Sequence, residues 1–301
     1  MEEKVLVLRC CESNLTSYGG FKWPSAGPVE CPDWDSKPEC GNGLHGWLWG
    51  AGDSAAGRID MNDSTALWFV VEVLKSDIVD LGGKVKFPRG NVVYCGDRET
   101  AVKMIADKAP QGTALMFQML VVADESQLVV GDYSKIISYY KQLTISAGDY
   151  VDIVVKSPFA KISAGRSANI IVTTDSKIDV DDYSIITSGH LLTVKGGHSL
   201  KVTSGDLTVA SAGDYSVLSV GRHSTVTCGS NSRVFADIGS AVRCGENSNL
   251  VIRWICGASK KSGLLSATVA STSDSLQLKP DVFYTAKVID GTPQFVLSVR
   301  N

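Results

Sequence analysis

The sequence predicts an α+β N-terminal domain, then an all-β parallel β-solenoid with about eight residues per strand-turn unit, and a C-terminal β-hairpin tail. Two observations carry the solenoid. Gly189, Gly197, Gly205, Gly213, Gly221, Gly229 and Gly245 stand on one eight-residue grid, with Asp237 in its single vacancy. Asp181, Thr173 and Gly165 continue the grid backwards, and two steps of seventeen reach Gly148 and Gly131. An apolar phase accompanies this register: Ile153, Ile170, Ile186, Val194, Val202, Leu218, Val226, Val234 and Val242 stand five residues past the grid positions, and Val155, Val172, Val220, Cys228 and Cys244 seven past. Apolar residues at alternate positions are what a strand offers a core, and a fixed period means stacked repeats. An antiparallel meander also turns every 8 to 12 residues but rarely holds phase for so long.

Each unit is therefore read as a short strand and a turn, the glycine supplying φ > 0. Val226 and Val242, and likewise Cys228 and Cys244, should meet on adjacent coils. Gly-Asp-Tyr recurs at 131, 148 and 213, Asp-Asp-Tyr at 181, and a serine often stands three places after the grid position.

The predicted domains are 1–125, 129–257 and 264–301. In the first, Val5 to Arg9 reads as a buried strand whose end puts Arg9 at a sheet edge or cleft. Phe21 to Gly52 holds Trp23, Trp34, Trp47 and Trp49 among glycines and prolines, which argues for a long loop rather than a central strand. Ala66 to Leu74 is a strong strand, and Val85 to Phe87 and Asn91 to Tyr94 are two more around a Pro88-Arg89-Gly90 turn. Asp97 is placed to cap a helix over Arg98 to Asp107. Ala114 to Ala123 is a strand or a short buried helix. The open ends of a solenoid need covering. The head is expected to cap one end, and the tail to close the other or to pair with a second copy. Residues 257–263 read as a linker, and the tail as a hairpin about Asp290-Gly291.

A net charge of −3 gives no cationic field to draw nucleic acid. No apolar run reaches the ~18 residues of a membrane helix. The first fourteen residues resemble neither a secretory signal nor a transit peptide, so a cytoplasmic protein with reduced thiols is expected, in a bacterial or phage-infected cell. The Asn14 and Asn62 glycosylation patterns carry no weight there.

Gly41 to Gly46 matches the dinucleotide fingerprint formally, but Pro38 and Glu39 replace the preceding strand and Trp47-Leu48-Trp49 the following helix. It reads instead as a glycine turn presenting His45 between aromatic walls. Cys10, Cys11, Cys31, Cys40 and His45 fit no common zinc spacing, so no metal and no cofactor are expected. His190, His198 and His223 should point outward at turns. The repeated aspartates read as turn formers. The expected partner-binding residues are Trp23, Trp47, Trp49 and Asn42.

Gly43-Leu44-His45-Gly46, the Leu81 to Val85 segment and the Gly-Asp-Tyr repeats together resemble a group of uncharacterised bacterial and bacteriophage proteins, in which a G-[FL]-H-[AG] domain precedes a repetitive solenoid. This resemblance implies a phage or prophage origin. A second likeness, to ADP-ribosyltransferase-type folds, rests on Arg9 after the apolar strand and on His45. It implies catalytic roles for both, with Arg9 gripping a phosphate and His45 a ribose hydroxyl or a proton, although no matching glutamate motif is present. The leading expectation is a non-enzymatic binding or assembly protein presenting a small head on a rigid solenoid. It would engage a protein partner, or a second copy through the solenoid end or tail. The alternative is an NAD-cleaving or ADP-ribosyl-transferring enzyme.

Overall fold

A computed structural model describes residues 2–57, 60, 63–122, 127–139, 141–255, 262–270, 277–290 and 292–298. The chain forms two compact units, one of residues 1–119 with 129–134 and one of 120–128 with 135–301. The turn of the first repeat, Gly131 to Ser134, thus clusters with the head. Asn62, residues 257–261 of the expected linker and Gly291 lie outside the described residues, while Ser262 and Gly263 of that expected linker begin a strand instead.

The head is a seven-stranded sheet of β1 (Lys4–Cys11), β2 (Gly27–Glu30), β3 (Leu44–Leu48), β4 (Leu67–Leu74), β5 (Val79–Asp80), β6 (Val85–Phe87) and β7 (Arg89–Gly96), with helix α1 (Arg98–Ala106). The strand order is β2-β7-β4-β1-β3-β6-β5 and every pairing is antiparallel. The apolar run of β1 is unbroken because both of its faces are covered. Leu6, Leu8 and Cys10 join a core with Ala101, Val102 and Ile105 of α1. Val5, Val7 and Cys11 join a second core with Trp23, Val29 and Cys31 of the tryptophan-rich segment. Asp97 caps α1 as expected, its side chain accepting from Thr100 N at 2.8 Å.

Two expectations for the head fail. The segment 21–52 is not a loop throughout: β2 lies in it, and so does β3, which pairs with β1 on one side and β6 on the other. Gly46 makes this possible, since a Cβ there would strike the Val7 side chain and the Leu8 carbonyl oxygen. Pro88-Arg89-Gly90 is no hairpin turn either, because β6 and β7 occupy different parts of the sheet and the chain crosses over at Pro88. Among the described residues of Ala114 to Ala123, Met119–Val122 is a strand, while Leu115, Met116 and Phe117 are buried in the α1 core.

In the second unit, short strands alternate between two ten-stranded sheets, with parallel neighbours about sixteen residues apart. Ile136, Ile153, Ile170, Ile186, Val202, Leu218, Val234 and Leu250 stack in register in one sheet. Ile145, Ile162, Ile178, Val194, Ala210, Val226 and Val242 do so in the other. The Cys228 and Cys244 sulfurs lie 3.0 Å apart.

The grid glycines, however, are not the left-handed residues of the turns. Positive φ occurs two places later, at Tyr150, Ser167, Tyr183, Leu191, Ser199, Leu207, Tyr215, His223 and Asn231 among others, and glycine fills that position only at Gly239. At the glycines of the grid the coils touch. A Cβ on Gly221 would lie 2.6 Å from Asp206 N and from Gly205 C, and one on Gly213 3.0 Å from the Gly197 carbonyl. That approach lets the turns hydrogen bond directly, Gly205 N to Gly189 O at 2.7 Å and Gly213 N to Gly197 O at 2.8 Å.

The repeated serines supply a second ladder. Ser216, Ser224, Ser232, Ser240 and Ser248 are buried. Their hydroxyls accept backbone N–H groups one coil earlier, as in Thr208 N to Ser224 Oγ and Ser216 N to Ser232 Oγ, both at 3.1 Å. The Ser216 hydroxyl in turn donates to Gly213 O at 2.9 Å, so it is buried at little cost. The residue after the grid position makes a third ladder: Asp182 Oδ1 accepts from His198 N at 2.7 Å, His198 Nδ1 from Asp214 N at 3.1 Å, and Asp214 Oδ1 from Ser230 N at 2.8 Å.

The tail completes the sheets. The Ser262–Thr268 strand pairs antiparallel with Asn249–Ile255, and the hairpin of Tyr284–Ile289 and Thr292–Leu297 joins the other sheet through Tyr284 opposite Val242.

Candidate functional site

The head encloses a cavity of about 690 Å³. Its lining includes Arg9, Trp23, Asn42, His45, Trp47 and Lys84, so most of the candidate residues picked out in the sequence converge there. Trp49 does not line it and is packed, half-buried, against both cores.

Arg9 continues the Val5, Val7 parity of β1, toward the face covered by the tryptophan-rich segment. Its guanidinium donates through Nη1 to His45 O at 3.1 Å and sits 5.6 Å from the Trp23 ring centroid. Its Nε is buried without a hydrogen-bond partner. Among the described residues no carboxylate forms an ion pair with it.

His45 lies on β3 opposite Lys86 of β6. Burial first, and then the charges of Lys84, Arg9 and Lys86, push its pKa down to about 4, against a smaller opposing effect from its hydrogen bond to the Gly43 backbone. The ring is therefore neutral at pH 7, and its Nε2 is buried with no partner. Lys84 Nζ donates to Ala56 O at 3.2 Å. Lys86, almost fully buried, lies 5.6 Å from the Trp34 ring centroid.

The tryptophans expected to meet a partner are walls rather than anchors. Trp23 is 2% exposed and Trp47 4%. Their indole N–H groups are spent inside the chain, Trp23 on Ser17 Oγ at 3.3 Å and Trp47 on Asp53 O at 2.9 Å, which is what lets them be buried. Asn42 is exposed at the cavity mouth, with φ 44°. Burial raises the Cys10 pKa to about 12, and Cys11, adjacent on the strand, belongs to the opposite core. Among the described residues no group of three or more His, Cys, Asp or Glu side chains is placed to hold a metal. The described lining has one carboxylate, Asp33, which accepts from Cys31 Sγ at 2.9 Å, and no glutamate for the transferase alternative.

The cluster was partly legible in sequence through Arg9 and His45. Lys84 was missed, because it reaches the cavity only through the β3 to β6 pairing, which sets Val85 and Lys86 beside Gly46 and His45.

Residues 5–104 match a family model described as a domain of unknown function (DUF7666). The chain is also similar to ice nucleation proteins. It is 44% identical to one from Pseudomonas fluorescens over 114 residues, 37% of this chain and 9% of that protein. The likeness to one from Pseudomonas syringae pv. syringae is 42% over 123 residues, 39% and 10% of the two chains, and to one from Xanthomonas campestris pv. translucens 40% over 116 residues, 38% and 7%. The chain thus spans about a tenth or less of the length of these relatives. No solved structure matches. These likenesses overturn the expected cytoplasmic location, with which a resemblance to ice nucleation proteins conflicts, and none points to a bacteriophage. Among the described residues no helix is long and apolar enough to cross a membrane. What the comparisons establish is similarity to a domain of unknown function over one third of the chain, and to short stretches of ice nucleation proteins.

Proposed function

We propose that the chain is a non-enzymatic assembly protein whose solenoid is a rigid spacer and whose tail joins copies edge to edge. One observation carries this reading. Among the described residues, both ten-stranded sheets terminate in tail strands, Ser262–Thr268 and Thr292–Leu297, whose outer edges pair with no further strand. Such edges template pairing with another chain. Leu264, 71% exposed, and Leu297, 63% exposed, add apolar surface to them. Sedimentation velocity on the full chain should show concentration-dependent association that Leu264→Lys with Leu297→Lys removes. A monomer at every concentration overturns the reading.

A second reading, ice-surface binding, is favoured by the likeness to ice nucleation proteins and by the register of Thr187, Thr203 and Ser219 on successive coils, facing out. Neighbouring strands ~4.8 Å apart would make these hydroxyls a regular row. Lys201, Val217 and Arg233 interrupt the adjacent row. The array is therefore small, which is why assembly is preferred. A droplet-freezing assay decides: raised freezing temperatures lost on Thr203→Leu would favour ice binding, and freezing no different from buffer would remove it.

A further inference from the structure

Two residues that line the head cavity, Arg9 and His45, each carry a polar atom that the chain itself leaves unused. Arg9 Nε can only donate and is buried without a partner. His45 Nε2 is likewise buried and unpartnered. The ring is held neutral, and with its hydrogen bond to the Gly43 backbone assigned to the Nδ1–H, Nε2 carries the lone pair and accepts. Buried polar groups left unmatched are costly, so a fitting occupant must offer an acceptor to Arg9 and a donor to His45. An oxyanion with a hydroxyl close beside it does both.

Charge points the same way. Arg9 and Lys84 line the cavity, Lys86 lies behind it, and Asp33 is the one carboxylate of the described lining. A guanidinium without a carboxylate is preorganised for a planar or tetrahedral oxyanion. The volume of about 690 Å³ is far more than a bare oxyanion fills. Phe21, Trp23 and Trp47 among the walls suit the apolar face of a sugar ring.

We propose that this cavity binds a small hydroxylated anion of the sugar-acid or sugar-phosphate class, with its oxyanion on Arg9 and Lys84 and a hydroxyl donating to His45 Nε2. This site is independent of the tail edges, so it stands or falls separately from assembly.

Calorimetric titration of the full chain at about pH 7.5 and low salt tests it, with glucuronate and ribose 5-phosphate as probes and glucose, inorganic phosphate and acetate as controls. At least one of the two hydroxylated anions should bind, about tenfold or more tighter than any control, and which one binds separates a sugar acid from a sugar phosphate. Lys84→Gln should weaken that binding several-fold. His45→Phe should reduce it to the level of the simple anions while leaving those unchanged. Arg9→Gln should abolish it; should that variant not fold, Lys84→Gln, at a half-buried residue, carries the charge test alone. Binding should also raise the His45 titration midpoint, read by imidazole NMR, from its low value. No heat from either probe at about 10 mM overturns the proposal. So does binding no tighter than that of inorganic phosphate or acetate, or binding indifferent to Lys84→Gln and His45→Phe.

Discussion

The repeated serines of the solenoid and the cavity residues of the head treat a buried polar atom differently, although Ser188 Oγ and Arg243 Nε of the solenoid are also buried without a hydrogen-bond partner. In the solenoid every one of the repeated hydroxyls and turn carboxylates described above has its partner one coil away, and the same bond is made again sixteen residues later. In the head, Arg9 and His45 are half-buried, and each keeps one buried polar atom, Nε and Nε2, unspent. Repetition satisfies polar groups because each coil meets a near copy of itself. A single-copy sheet offers no such guarantee, and unsatisfied atoms beside a cavity read as capacity for a ligand.

The largest expected effect lies in the repeat. Val226 is wholly buried and stacks between Ala210 and Val242. Val226→Asp should cost about 4 kcal/mol or more, as an unpaired charge in a dry stack, measured by denaturant unfolding. A loss under about 1 kcal/mol would mean that the stack is not closed.

The next test separates two glycine arguments that sequence alone confuses. Gly197→Ser puts a Cβ against Asp182, 3.0 Å from its backbone nitrogen, and should lose about 2 kcal/mol. Ser199→Gly, two places on at φ 55°, relieves a left-handed residue and should be neutral or slightly stabilising. Equal losses at both positions would contradict the close-approach role of the grid.

A smaller effect is expected from pH, and in the head. His45 has its folded pKa lowered to about 4 from its ordinary value of 6.5. The unfolded chain therefore binds the extra proton between these values, and stability rises with pH across that window. The contribution is whole above about pH 6.5 and is lost as pH falls toward 4. His45→Gln should flatten that part of the head's stability profile, followed by thermal unfolding at several pH values; an unchanged profile would mean that the imidazole is solvated. Smallest of all, Arg222→Ala at a turn should stay within about 0.5 kcal/mol, since the bond made there, to Asp206 Oδ1, is from the Arg222 backbone nitrogen.

How much of this was legible follows the same division. The inward phase of the solenoid, the stacking of Val226 on Val242 and of Cys228 on Cys244, and the capped α1 could be read directly, because periodicity and local capping are short-range signals. The grid glycines could be located but not explained. Whether glycine stands for a left-handed φ or for a missing Cβ depends on what lies one coil away, which no local pattern records. In the head, Arg9 and His45 were placed together in one cleft, and both line the cavity, but Lys84 was not foreseen there. The strand status of Leu44–Leu48 was hidden by the prolines and glycines around it, and rests on Gly46 meeting Val7 and Leu8 across the sheet. The tryptophans were misjudged as surface anchors because composition does not say where an indole N–H finds its partner.

Hydrogen exchange by mass spectrometry on the full chain, comparing the native sequence with Val226→Asp, tests the division itself. Damage to one coil should spread to its neighbours, so peptides across 202–250 should lose protection, while β1 and β4 of the head keep theirs. Loss of protection in β1 and β4 to the same degree would contradict the account, for it would make head and solenoid one cooperative structure rather than two.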